Sequence, residues 1–130
     1  MKSVTICSST RFAKEVTAFA KELEKLGVSV FIPNYTNGRS SVDWAKVEKA
    51  QIRFIAMGLT HDHFNKIKKG DITFFYNKDG YSGTSVTLEL GYATALSKTI
   101  YAFSDKDVEI CRDILFDGYA DTPKKLLKCL

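Results

Sequence analysis

The sequence predicts an α/β domain: a three-layer sandwich on a five-stranded, mainly parallel sheet with strand order 2-1-3-4-5. Three observations carry that expectation. Short apolar runs alternate with helix-periodic segments along the chain, the pattern of strand–helix–strand crossovers. The run Asp71–Tyr76 is apolar almost throughout, as in a strand covered on both faces. The two most hydroxyl-rich turns directly follow the first and third strands, which become neighbours at the switch point of this order.

In chain order, Val4–Cys7 reads as a short buried strand and Ser8–Arg11 as a polar turn. Phe12 to Leu26 has the spacing of an amphipathic helix, with Phe12, Val16, Phe19, Leu23 and Leu26 on one face. Gly27 stands where helices stop, Val28–Ile32 is a second strand, and Pro33 closes it. A loop from Asn34 to Ser41 offers Tyr35 and Arg39 to a ligand, and the aromatic residues between Asn34 and Trp44 to a ligand or an interface. A helical pattern runs from about Val42 to Lys69, with an interruption expected near Gly58. The third strand is Asp71–Tyr76 and the fourth is Thr99–Phe103. A helix around Val108–Leu115, a strand-like piece near Tyr119 and a last helix opened by Thr122-Pro123 complete the chain.

At 130 residues, the chain has the length of one domain, 1–130, with room for one substantial core. No run approaches the roughly 18 apolar residues of a membrane span, and no signal peptide is evident. Three widely spaced cysteines, Cys7, Cys111 and Cys129, make neither a CxxC motif nor a disulfide set, which fits a cytoplasmic protein. A catalytic thiol is one reading of Cys7, but it lies in an apolar strand and is expected to be packing. The net charge of +4 is mild and its lysines are dispersed, which argues against a nucleic-acid polymer and is compatible with a small anion.

The sharpest chemical feature is Asn77–Lys98. It runs from a Gly-containing turn into a helix whose only charged residue between Gly80 and Ser97 is Glu89. With Thr84 or Ser85 as N-cap, Glu89 falls at the end of the first turn or the start of the second. The helix dipole there favours its ionised form while apolar neighbours disfavour it. A carboxylate on a crevice floor can attack a sugar carbon or stabilise an oxocarbenium-like centre; the plainer reading is a surface glutamate. Gly80 and Gly83 are expected in a tight turn over a ligand, and Gly91 in close helix–sheet packing. Opposite, Ser8-Ser9-Thr10-Arg11 offers three hydroxyls, a cation and a helix start to a phosphate; the plainer reading is a capping hydroxyl beside a solvated arginine. His63 has either an acid–base role toward a leaving base or a place on a solvated helix face. His61 and His63, at i and i+2 of a helix, point apart, so no metal is expected.

The segments CSSTRF, HFNKIKKGD and GYSGTSVTLELGYATALSK together resemble the nucleoside 2-deoxyribosyltransferase-like family, which includes deoxynucleoside-monophosphate N-glycosidases. The resemblance spans about residues 3 to 103. It implies a flavodoxin-like (Rossmann-like) sandwich, no cofactor, and attack on C1′ of a 2′-deoxynucleoside or nucleotide. The deoxyribosyl group then passes to a second base or to water. It places the nucleophile at Glu89 of Glu89-Leu90-Gly91 and phosphate contacts at Ser8–Arg11, with Ser9 and Arg11 as the matching residues. The family's strand-one tyrosine corresponds to Thr5. Its aspartate before strand three corresponds to His63, with Asp62 adjacent, and the Asp or Ser six residues before the glutamate to Gly83, beside Ser85. It also implies a homodimer or larger homo-oligomer.

Two further readings stand beside this one. A non-catalytic nucleotide-binding or signalling module would keep the crevice while losing the supporting groups at Thr5, His63 and Gly83. A flavin-binding protein would use Trp44 and Tyr81 as stacking aromatics and would be coloured. A receiver domain is disfavoured because no acidic pair follows the first strand.

Overall fold

The computed structural model describes residues 1–34 and 44–130. Tyr35 and Arg39, named above for a ligand, lie outside the described residues. Five strands form one sheet in the order β2-β1-β3-β4-β5: β1 Val4–Cys7, β2 Val30–Phe31, β3 Ile72–Phe75, β4 Thr99–Ala102 and β5 Gly118–Tyr119. Every ladder is parallel, with Thr5 opposite both Phe31 and Thr73, and Phe74 opposite Tyr101. The expected order therefore holds. Among the described residues five α-helices flank the sheet: α1 Ala13–Lys25, α2 Lys49–Lys69, α3 Thr84–Ala95, α4 Ile110–Asp113 and α5 Pro123–Leu127.

The two faces of the sheet follow from the two-residue period of its strands. Val4, Ile6, Ile72 and Phe74 point to one face, where they pack against Val16, Phe19 and Leu23 of α1 and Leu126 of α5. Phe19 stacks on Phe74 with ring centroids 5.0 Å apart. Cys7, Phe75, Ile100 and Ala102 point to the other face, against Ile67 of α2 and Val86, Leu90 and Ala93 of α3. Each fully buried Leu, Phe or Ile in these layers contributes roughly 1.5–3 kcal/mol from area removed from water.

Local chemistry explains the element ends. At the end of α1, Gly27 takes φ +88°, and the amides of Gly27 and Val28 donate to the carbonyls of Glu24 and Leu23. This paired closure satisfies two otherwise orphaned carbonyls. It also takes Val28 out of the expected strand, so β2 shortens to two residues before Pro33. α5 is capped by the Thr122 hydroxyl, which accepts from the Lys125 amide with Pro123 at the first turn.

Three expectations need correction. α2 starts at Lys49, after a 3-10 turn at Trp44–Lys46, and runs unbroken through Gly58. Gly58 faces open space, where its cost is only the helix-propensity penalty of about 1 kcal/mol. The N-cap of α3 is Gly83 rather than Thr84 or Ser85, and the Thr87 hydroxyl donates back to the Gly83 carbonyl. Gly91 is exposed with nothing near its Cα, so close helix–sheet packing does not require it. Gly80 does have a backbone role: at φ +78° a side chain would run into the Lys106 carbonyl.

Candidate functional site

The parallel sheet sends β1 and β3 to the same edge, and the chain diverges there. After β1, Ser8 is nearly buried and Ser9 caps a 3-10 turn, its hydroxyl accepting from the Arg11 amide at 3.3 Å. After β3, the Tyr76 amide donates to the Cys7 carbonyl, which holds the two strand ends together. Asn77 then ties the β3 exit to the β4 exit: its Oδ1 accepts from the Ser104 amide at 2.8 Å and its Nδ2 donates to the Ser104 carbonyl at 3.1 Å. Gly83 opens α3 facing the Ser8 turn.

Between these elements lies a crevice of about 290 Å³. That volume is at the lower end for small-molecule sites. Ser8, Ser9 and Thr10 line one wall, and Gly83, Thr84 and Ser85 at the start of α3 line another. Leu59, Thr60 and His63 of α2, together with Pro33 and Asn34, complete it, and Glu89 reaches in from the second turn of α3. The fold thus gathers seven of the eight residues singled out in the sequence: Glu89, His63, Ser8, Ser9, Thr10, Gly83 and Ser85. The eighth, Arg11, is not among the lining residues. Its guanidinium lies 3.6 Å above the Tyr81 ring, and Tyr81 also meets Phe12 edge-on. Tyr81 is therefore occupied by Arg11 rather than offered as a free flavin platform.

At the floor three ionisable side chains converge. Cys7 Sγ lies 3.3 Å from His63 Nε2, and His63 Nε2 lies 3.8 Å from Glu89 Oε2. Cys7 is fully buried, His63 is 4% exposed, and the Glu89 side chain is 14% exposed. Glu89 is thus no surface glutamate, and His63 is not on a solvated face. Its neighbour Asp62 is the solvated one, paired with Lys66 at 2.8 Å.

Burial dominates the electrostatics of this floor. It lifts the Glu89 carboxyl to about 8, against a partial opposing pull from the Cys7 thiol. It lowers the His63 imidazole to about 4, helped by the Lys66 ammonium and opposed by Asp62 and the Ile6 backbone. It raises the Cys7 thiol well above its ordinary range, with Glu89 adding to the effect. His63 is consequently neutral at pH 7: a hydrogen-bonding partner for its neighbours rather than an imidazolium acid. Glu89 Oε2 and His63 Nδ1 are buried with no hydrogen-bond partner among the described residues. Such groups are uncommon in folded proteins and mark places where something else belongs.

The sequence favours core packing for Cys7 over a catalytic thiol and does not predict its contact with His63. One signal was available: strand alternation puts Thr5 and Cys7 on one face, and Cys7 is the last residue before the crevice. Thr5 itself stays away from the site, donating to the Lys66 carbonyl at 2.8 Å beside Gly70. Cys7, His63 and Glu89 are also the one metal-competent trio found among the described residues, with their ligand atoms all within 4.8 Å of one another.

Fold and site together define a parallel α/β sandwich with a ligand crevice at its switch point and a buried carboxylate on the crevice floor. Among the solved structures it matches is a 2-deoxyribosyltransferase from the psychrotolerant bacterium Bacillus psychrosaccharolyticus. The two share a TM-score of 0.63 and 18% identity over 95% of this chain and 89% of that one. The likeness establishes a shared fold. No protein-family model matches the chain, and no curated protein matches it significantly in sequence. No helix among the described residues is long and apolar enough to cross a membrane.

Proposed function

We propose that the protein cleaves the N-glycosidic bond of a 2′-deoxynucleoside or its 5′-monophosphate through Glu89, passing the deoxyribosyl group to a second base or to water. The observation that carries this reading is a single carboxylate, six-sevenths buried, at the floor of a small hydroxyl-lined crevice. The shared fold with a 2-deoxyribosyltransferase supports it.

In this reading the ionised Glu89 carboxylate attacks C1′ and forms a glycosyl ester. The C1′–N bond breaks, its electron pair stays on the base nitrogen, and the base takes a proton from solvent or a crevice hydroxyl. A second base or a water then attacks C1′ and gives up a proton to solvent, the ester bond breaks, and the Glu89 carboxylate is regenerated. His63, neutral beside Glu89, orients the carboxylate. Ser8, Ser9, Thr10 and Ser85 supply hydroxyls to the sugar or phosphate. The first peptide N–H groups of α3, beginning at Gly83, add a positive dipole end facing the crevice. Arg11 at the rim supplies charge to a 5′-phosphate by leaving Tyr81. The chain acts in the cytoplasm as a homodimer or larger homo-oligomer.

A second reading, a nucleotide-binding module without turnover, has one observation in its favour. Thr5 is committed to the Lys66 carbonyl and Gly83 has no side chain, so two of the groups expected to support a glutamate nucleophile are missing. Incubation with a panel of nucleosides and 5′-monophosphates, with and without an acceptor base, separates the two. Free base detected by chromatography supports the enzyme. Thermal stabilisation by these ligands without base release supports the module.

A further inference from the structure

We infer that Cys7, His63 and Glu89 form a binding site for one zinc-class divalent cation at the crevice floor. The hydrogen bonding of the three side chains is mismatched. His63 Nε2 faces both the Cys7 sulfur at 3.3 Å and Glu89 Oε2 at 3.8 Å. One imidazole nitrogen carries either one lone pair or one proton, so it satisfies one of these neighbours and not both. The outcome is visible in the structure: among the described residues Glu89 Oε2 has no hydrogen bond of good geometry and shares the Cys7 thiol with His63. A cation between the three atoms gives each of them a partner at once.

The distances and chemistry fit such an ion. Bonds of about 2.3 Å to sulfur and about 2.0 Å to nitrogen or oxygen, at tetrahedral angles, put ligand atoms roughly 3.3–3.5 Å apart. The two separations at His63 lie within about half an ångström of that, while Cys7 and Glu89 stand within 4.8 Å of each other and draw together on the ion. Thiolate, imidazole and carboxylate together favour zinc or cobalt(II) over magnesium or calcium, which prefer oxygen ligands alone. His63 and Glu89 line the crevice while Cys7 sits behind them, so an ion has a path in and its remaining position faces the ligand space. Three protein ligands from β1, α2 and α3 join both layers of this side of the sheet. Binding forms the metal–sulfur, metal–nitrogen and metal–oxygen bonds and releases the thiol proton, with any proton on Glu89, to solvent.

The site does not depend on the glycosidic reading. Its consequence does: if Glu89 is the nucleophile, the bound ion holds its carboxylate and blocks attack reversibly.

Cobalt(II) and zinc, titrated into the chelator-treated full chain, test the site without reference to activity. Native mass spectrometry is expected to show one ion per chain, and cobalt(II) a thiolate charge-transfer band in the near ultraviolet. Cys7→Ser is expected to abolish the band, and His63→Gln to weaken affinity by at least about tenfold. Circular dichroism verifies that both variants fold. The double variant Cys111→Ser/Cys129→Ser is expected to keep one tight site and the band. Absence of a stoichiometric ion, or a band that follows Cys111 and Cys129 instead of Cys7, overturns the inference. A metal site with no base release in any metal state would support this inference while removing the glycosidic one.

Discussion

The two faces of the sheet are made of the same strands and do different work. Toward α1 and α5, β1 and β3 present Val4, Ile6, Ile72 and Phe74, every one of them apolar and buried. Toward α2 and α3 the same strands present Thr5, Cys7, Thr73 and Phe75, and the helices add His63 and Glu89. The first face is a packed hydrocarbon layer. The second interrupts its hydrocarbon with polar groups, and three of their atoms, on His63, Thr73 and Glu89, have no hydrogen-bond partner of good geometry among the described residues. Buried, unpaired polar atoms cost about 1–3 kcal/mol each. A fold selected for stability alone would replace them. Two of the three groups, His63 and Glu89, line the crevice, so the chemistry proposed for this protein falls on the second face while the first is devoted to packing.

Substitutions on the two faces should therefore separate activity from stability. Glu89→Gln keeps the side-chain volume and removes the charge. It is expected to reduce base release on the order of 10³-fold or more while the protein remains folded, read from initial rates and circular dichroism. Phe74→Ala on the opposite face is expected to cost about 3–5 kcal/mol in urea unfolding, with any residual folded enzyme keeping its specific activity. If Phe74→Ala left stability intact, or lowered activity without lowering stability, the division between the faces would fail.

Proton linkage offers a second way to sharpen the comparison. Glu89 is raised in the folded protein from 4.5 to about 8, so its stabilising neutral form is fully present below pH 4.5 and is lost as pH rises toward 8. His63 is lowered from 6.5 to about 4, so its contribution is complete above pH 6.5 and is lost as pH falls toward 4. Between about pH 4.5 and 6.5 the two slopes oppose each other. Above pH 6.5 Glu89 acts alone, and its effect on stability is expected to be a fall of about 1.4 kcal/mol per pH unit up to about 8. Chemical unfolding across this range should show the decline in the wild type and not in Glu89→Gln. A decline of equal slope in both proteins would place the titrating group elsewhere. In the same interval kcat/KM is expected to rise, because the nucleophile must be ionised.

Smaller effects are expected at the edges of the active face. Thr73→Val exchanges an unpartnered buried hydroxyl for a methyl group of the same shape and is expected to stabilise the protein by about 1 kcal/mol. A loss of stability there would mean that the Thr73 hydroxyl is paired in solution. Arg11→Ala is expected to weaken 5′-monophosphates by no more than about tenfold and the matching nucleosides less, because an exposed cation is screened. Equal weakening of both ligand classes, measured by thermal shift or titration, would remove Arg11 from phosphate recognition.

The contrast between the faces also shows what could be read in the sequence. The alternation of apolar runs and helix periods was enough for the sheet order, because parallel crossovers leave few topologies for five strands. The crevice was legible because topology places the loops after β1 and β3 side by side. Ser8, Ser9, Thr10, Gly83, Ser85 and Glu89 follow those strands and line it for that reason, and His63 joins them from α2. The eighth, Arg11, illustrates what loop position leaves open, since its direction is set by the Tyr81 ring, a contact between two loops far apart in sequence. The apolar neighbours of Cys7 predict its burial, which the structure shows. Its alignment with His63 depends on how α2 lies across the sheet, and helix orientation leaves no mark at Cys7 itself. Gly91 and the α3 cap depart from expectation for a simpler reason. Glycine and hydroxyl residues have several uses at a helix start, and only packing selects among them.

The central claim is that Glu89 forms a bond to C1′. It is tested most directly by quenching a reaction of the wild-type protein with a 2′-deoxynucleoside or its monophosphate and mapping the digested chain by mass spectrometry. The account predicts one deoxyribosyl group, or its 5′-phosphate, on the peptide containing Glu89, and none in Glu89→Gln. Base release undiminished in Glu89→Gln, with no adduct on that peptide in the wild type, would contradict it.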